Sequence, residues 1–194
     1  MRIVRRAELT GQPWRNGGGV TWQIAAGPEG ADVAAFDWRL SMAEVAADGP
    51  FSAFPGIDRT LTLIEGAGLA LDFGGGTVRL APGDAPLSFP GEAPVTGRLT
   101  AGPVIDLNVM TRRGVLSHDV VPLAAAEAVP AGTVALVALS PQPGPAGGAG
   151  LAPGDTLLAD PAGGLDGLAA AGPALAVVLR PARPQRWISG AADA

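Results

Sequence analysis

With 194 residues and 47% hydrophobic content the chain is long enough to bury a core without covalent staples. It has no cysteine, which excludes disulfides, thiolate metal sites and cysteine nucleophiles, and one histidine, which excludes a histidine-rich metal centre. Its 13 basic residues, all arginine, are outnumbered by 18 acidic ones, and the net charge of −5 leaves no electrostatic footprint for nucleic acid.

The 29 glycines and 19 prolines interrupt the chain too often for long helices and predict short strands joined by turns. The opening MRIVRRAELTG carries charge but no apolar core region or cleavage site, and no run is long enough to span a bilayer. A cytoplasmic protein without membrane association is expected. Residues 1–10 are compatible with a first strand. Trp14, Arg15, Asn16 and the glycines 17–19 then precede a strand over 20–26, so the glycines form either a hairpin corner or a backbone nest for an anion.

The stretch 36–66 joins two strand-like runs, FDWRLS and RTLTLIEG, through an aromatic, proline-stiffened connection. Period-two alternation puts Phe36, Trp38 and Leu40 on one face and Asp37, Arg39 and Ser41 on the other. Glycines 74–76 predict a hairpin, and Pro82-Gly83 a further turn. The run 103–111, PVIDLNVMT, alternates again: Ile105, Leu107 and Val109 oppose Asp106, Asn108 and Met110, with Arg112 in phase with the second set. Beyond residue 119 charge thins out, and 141–150 reads as a loop.

An internal repeat organises these pieces. LAPGD recurs at 80–84 and 151–155, and AGP at 101–103 and 171–173, offsets of 71 and 70 residues, each followed by an apolar run. Two β units of about 70 residues with such turns predict an all-β double jelly-roll with a degenerate second barrel. The division expected is residues 1–118 for the first barrel and 119–194 for the second, intertwined with it.

The turn Gly76 to Pro82-Gly83-Asp84 resembles the second motif of the cupin superfamily, in which a metal-binding histidine follows. Here Ala85, Pro86, Leu87 and Ser88 follow, and in the second copy Thr156, Leu157 and Leu158. No metal or other cofactor is therefore expected, and the lone His118 reads as a connecting or solvated residue. No serine lies in a G-x-S-x-G elbow, so no catalytic residue is assigned, although Asp37 or Asp106 has the chemistry for acid–base work. What remains is a polar pocket: Arg39 and Ser41 on one strand, Arg59 opening the next, and Asp106, Asn108 and Arg112 on a third. Arginine and asparagine present planar donors suited to a small anionic or amide-bearing ligand; the competing expectation pairs Arg39 with Asp37 or Asp58 at the surface.

Several segments in order resemble the HutD/Ves family: Trp14 to Gly19 with Thr21; Trp38 to Ser41 with Ala43; Gly49 to Ser52 and Phe54 to Gly56; Asp58 to Leu61 with Gly66; and Asp106 to Met110 followed by Arg112-Arg113. The resemblance covers residues 12–113, and beyond them chiefly 151–155. It implies a metal-free bicupin without an established enzymatic activity, binding a histidine-pathway intermediate such as urocanate or a formylated glutamate in an accessory or regulatory role. The alternative is a metal-independent isomerase or hydrolase acting on a small carboxylate. Carried over, the pocket is bordered by Asn16, Arg39, Phe54, Arg59, Asn108 and Arg112. Pairing of edge strands into a homodimer is the expectation for barrels of this type.

Overall fold

The computed structural model describes residues 1–30, 35–160 and 163–182, so the expectations for residues 183–194 lie outside the described residues. Its strands, in chain order, are β1 (Arg2–Val4), β2 (Gly11–Pro13), β3 (Gly19–Gly27), β4 (Trp38–Val45), β5 (Gly49–Pro50), β6 (Ile57–Glu65), β7 (Leu69–Asp72) and β8 (Thr77–Leu80). They continue with β9 (Leu87–Pro90), β10 (Thr96–Leu99), β11 (Val104–Arg112), β12 (Leu116–Leu123), β13 (Thr133–Ala138), β14 (Thr156–Leu158) and β15 (Ala174–Pro181). Helix among the described residues is confined to two single 3₁₀ turns, Arg6–Glu8 and Pro145–Gly147.

Three antiparallel sheets result, ordered β2-β3-β4-β11-β6-β9, β5-β10-β7-β8 and β1-β14-β13-β15-β12. Alternation decides how they pack. Leu40 and Met42 of β4 and Leu107 and Val109 of β11 share a core with Val137 of β13 and Leu175 and Val177 of β15, so the six- and five-stranded sheets stack face to face. The opposite face of the six-stranded sheet looks into the first barrel. There Leu61, Leu63 and Val104 pack against Leu69 and Leu71 of the four-stranded sheet, and the rest of the interior is lined by polar and apolar side chains together.

The repeat is visible in turn chemistry and in topology. Asp84 accepts the Ala81 amide at 2.8 Å and Asp155 the Ala152 amide at 3.0 Å, each closing the same PGD turn. Gly83 and Gly154 hold φ of +95° and +84° there, which a side chain would resist. The order β4-β11-β6-β9 in the first unit is matched by β12-β15-β13-β14 in the second, with β11 and β15 each entered from an AGP segment. The second unit is degenerate because no sheet among the described residues covers its outer face. Leu136, Leu157 and Ala176 are instead capped by Val129, Leu165 and Ala170 from loops. Residues 118 and 119 both lie within β12, and β1 pairs with β14, so the amino-terminal strand completes the second unit's sheet.

Candidate functional site

The site lies on the inward face of the central strands β4, β11 and β6. Register puts Arg39, Met110 and Arg59 in one row across these strands, Ser41, Asn108 and Leu61 in the next, and Ala43, Asp106 and Leu63 in the third. Above these rows is a cavity of about 530 Å³, walled also by Trp14, Arg15, Asn16 and Thr21 on one side and by Pro50, Phe51, Ser52 and Phe54 on the other. The segment 46–56 thus closes over the strands that it joins.

Burying two arginines needs compensation, and each is held by its Nε. Arg39 donates to Gln23 Oε1 at 3.0 Å, and Arg59 donates to Asn108 Oδ1 at 2.7 Å. The Arg59 guanidinium lies 4.9 Å from the Phe51 ring centre and 5.4 Å from that of Phe89, a stacked cation between two aromatic faces. Asn108 passes the chain on by donating its amide to Asp106 Oδ1. Asp106 Oδ2 is buried without a hydrogen-bond partner among the described residues.

Electrostatics follow from that burial. Desolvation pulls the Arg39 guanidinium below its ordinary value. Desolvation also brings Arg59 down to about 10, with Asp106 opposing the shift and Arg39 adding to it, so Arg59 stays cationic at neutral pH. Asp106, 0% exposed, is pushed up to about 7 by burial, against the stabilising influence of Arg59 and the Asn108 hydrogen bond. The network Asp106–Asn108–Arg59 therefore presents a fixed guanidinium to the cavity and keeps a carboxyl that titrates near neutrality beneath it.

Of the residues expected at the pocket, Asn16, Arg39, Ser41, Phe54, Arg59 and Asn108 line this cavity. Asp106 sits under the lining, reached through Asn108. Arg112 is on the expected face but one strand end away, donating to the Phe36 carbonyl at 2.7 Å and paired with Asp37 at 3.4 Å. Asp58 is engaged by Arg113 at 2.9 Å, so neither carboxylate expected to compete for Arg39 holds it. The three glycines form a hairpin corner. Asn16 Oδ1 accepts the Gly18 amide at 3.0 Å, and a Cβ on Gly19 would collide with the Glu44 carbonyl.

Gln23, Trp14 and Phe51 belong to the site as well, beyond the pocket residues expected from the sequence. Trp14 donates to Thr21 Oγ1 at 2.8 Å and meets Phe51 edge to face at 6.3 Å. A polar Gln at the inward phase of an expected strand was the available signal for Gln23. His118 is a connector: Nδ1 lies 2.7 Å from Thr111 Oγ1 and Nε2 2.8 Å from Thr60 Oγ1, which in turn contacts Ser88 Oγ at 2.7 Å. It ties the edge strand β12 to β11 and β6, beside a smaller cleft of about 330 Å³.

Fold and site together define an all-β bicupin whose complete barrel holds a cavity lined by two buried arginines and by aromatic side chains. The HutD family model matches residues 6–172, and the chain belongs to the HutD family. It is similar to the HutD structure from Pseudomonas fluorescens SBW25, with TM-score 0.80 and 28% identity over 94% of this chain and 99% of that one. A conserved protein of unknown function from Pseudomonas aeruginosa PAO1 superposes with TM-score 0.71 and 29% identity, over 92% of this chain and 97% of that one. Among curated relatives, Protein Ves of Cronobacter sakazakii is 41% identical over 101 residues, which are 52% of this chain and 54% of the relative. An uncharacterized 21.2 kDa protein in the hutC 3′ region of Pseudomonas putida is 36% identical over 111 residues, 57% of each chain. The match spans little more than half the length of these curated relatives.

Proposed function

We propose that the protein is a cytoplasmic, small-molecule-binding accessory or regulatory protein that takes a small anionic or amide-bearing ligand into the first barrel. The observation carrying this reading is the pair of buried arginines, Arg39 and Arg59, each anchored through Nε in a cavity whose lining contains no carboxylate among the described residues. Two desolvated guanidiniums against one buried carboxyl, Asp106, are costly, and an anion entering the cavity offsets that cost with charge-assisted hydrogen bonds. Urocanate and formylated glutamate are the candidate ligands. A link to histidine utilisation is supported by the relative whose name places it in a hutC 3′ region. No helix among the described residues is long and apolar enough to cross a membrane.

Calorimetric titration with urocanate, N-formylglutamate and formiminoglutamate tests the proposal. Saturable binding that weakens in Arg59→Met supports it; absence of heat with all three at millimolar ligand sinks the histidine-pathway version. One observation favours a second reading, a metal-independent isomerase or hydrolase: a carboxyl at about 7, as Asp106 has, suits general acid–base catalysis. Turnover of any of these compounds that vanishes in Asp106→Asn would favour catalysis over binding alone.

A further inference from the structure

Resting on the small-anion reading, we infer that the cavity is charge-matched to a ligand carrying two carboxylates, and that Asp106 takes up a proton as such a ligand enters. The geometry begins with the row Arg39–Met110–Arg59. Two inter-strand steps separate the arginine backbones, about 9.6 Å, so the side chains form two donor forks and not one merged cluster. Each Nε is already used, while the terminal nitrogens of both make no hydrogen bond to the described residues. Two forks on opposite sides of one strand suit two carboxylates of one molecule.

Charge counting gives the second half. Asp106 is flanked by Ala43 of β4 and Leu63 of β6, with the neutral Asn108 on its own strand and Arg59 as the cation that acts on it, while the opposing four-stranded sheet contributes the apolar Leu69, Leu71 and Leu80; Arg39 is the cavity's second cation, two rows away. Arg15 lies at the solvent-exposed rim, and no carboxylate among the described residues lines the cavity. Two guanidiniums with an ionised Asp106 leave one positive charge, which a monocarboxylate balances. With a protonated Asp106 they leave two, which a dicarboxylate balances. A ligand carboxylate on Arg59 also replaces the attraction that keeps Asp106 ionised, and Oδ2, without a hydrogen-bond partner among the described residues, can carry the proton. Because burial already places Asp106 at about 7, the uptake falls in an accessible pH range.

The test is calorimetry of the full chain at pH 8 in two buffers of different ionisation enthalpy, Tris and HEPES. Glutarate and N-formylglutamate serve as dicarboxylate probes, urocanate and butyrate as monocarboxylates. The expected result is uptake of roughly 0.5 to 1 proton per bound dicarboxylate, since a carboxyl mostly ionised at pH 8 is driven neutral. Monocarboxylates bind at least tenfold more weakly and take up little or none. Asp106→Asn abolishes the uptake. Dicarboxylate binding without proton uptake in the wild type overturns the inference, whatever the variant does, as does equal uptake in Asp106→Asn or tighter binding of the monocarboxylates. Those outcomes leave the small-anion reading standing, whereas failure of every probe to bind sinks both.

Discussion

Replacing Asp106 by Asn changes one buried oxygen into an amide nitrogen and should alter how stability depends on pH more than it alters the structure. The Asn carbonyl can still accept from Asn108, so the chain to Arg59 is retained. In the wild type the folded carboxyl is raised from 3.8 to about 7, so between those values the native state binds more protons than the unfolded state. The sign follows: the contribution is fully present below about pH 4 and is lost as pH rises through about 7. A rise of that size corresponds to about 4 kcal/mol across the window. Urea unfolding of both proteins from pH 4 to pH 8.5 reads it directly, because the difference between the curves removes contributions that they share. The difference should swing in favour of Asp106→Asn by about 2–4 kcal/mol as pH rises. Curves that stay parallel throughout would refute the claim that Asp106 is held near neutrality.

Asp155→Ala should cost about 2–4 kcal/mol, because it strands partners of a nearly buried carboxylate; Asp155 accepts Arg5 at 2.6 Å and the Arg6 and Ala152 amides at 3.0 Å. Burial raises the Asp155 carboxyl, but the Arg5 and amide hydrogen bonds outweigh it and hold it below its ordinary value, so this contribution disappears as pH falls through the acid range. His118→Ala should cost about 1–3 kcal/mol by leaving the buried Thr111 and Thr60 hydroxyls without the imidazole. Burial depresses the His118 imidazole, so its share of stability falls as pH drops below the ordinary histidine value, visible as a midpoint shift present in the wild type and absent in the variant. Gly19→Ala should lower thermal stability and loosen the Trp14 wall, since the added methyl meets the Glu44 carbonyl and the Trp14 ring; Trp fluorescence would report it.

Period-two patterning made the fold legible because it is local. It predicted that Arg39, Ser41, Asp106 and Asn108 would share faces opposite Leu40, Leu107 and Val109, and the repeated PGD turns predicted the doubled unit. What patterning cannot supply is register. That Met110 aligns with both Arg39 and Arg59 depends on three strands pairing across the sheet. The same gap explains Arg112: phase named its face, but position along β11 carries it past the cavity to Phe36 and Asp37. Gln23, Phe51 and His118 act through partners distant in sequence, so the strand phase of Gln23 and the connecting role read for His118 leave the partners themselves to the fold. The degenerate second barrel was readable as loss of pattern, yet the loops that cap Leu136 and Leu157 follow no periodicity.

The central claim is that Arg39 and Arg59 hold a small anion inside the first barrel. Titration of N-formylglutamate into the wild type, Arg39→Met, Arg59→Met and the double variant tests it most directly, with circular dichroism establishing that each remains folded. The account predicts a loss of about 10- to 100-fold for each single change, from charge-assisted hydrogen bonds of about 1.5–3 kcal/mol, and no measurable binding in the double variant. Binding of equal strength in all four proteins would contradict it.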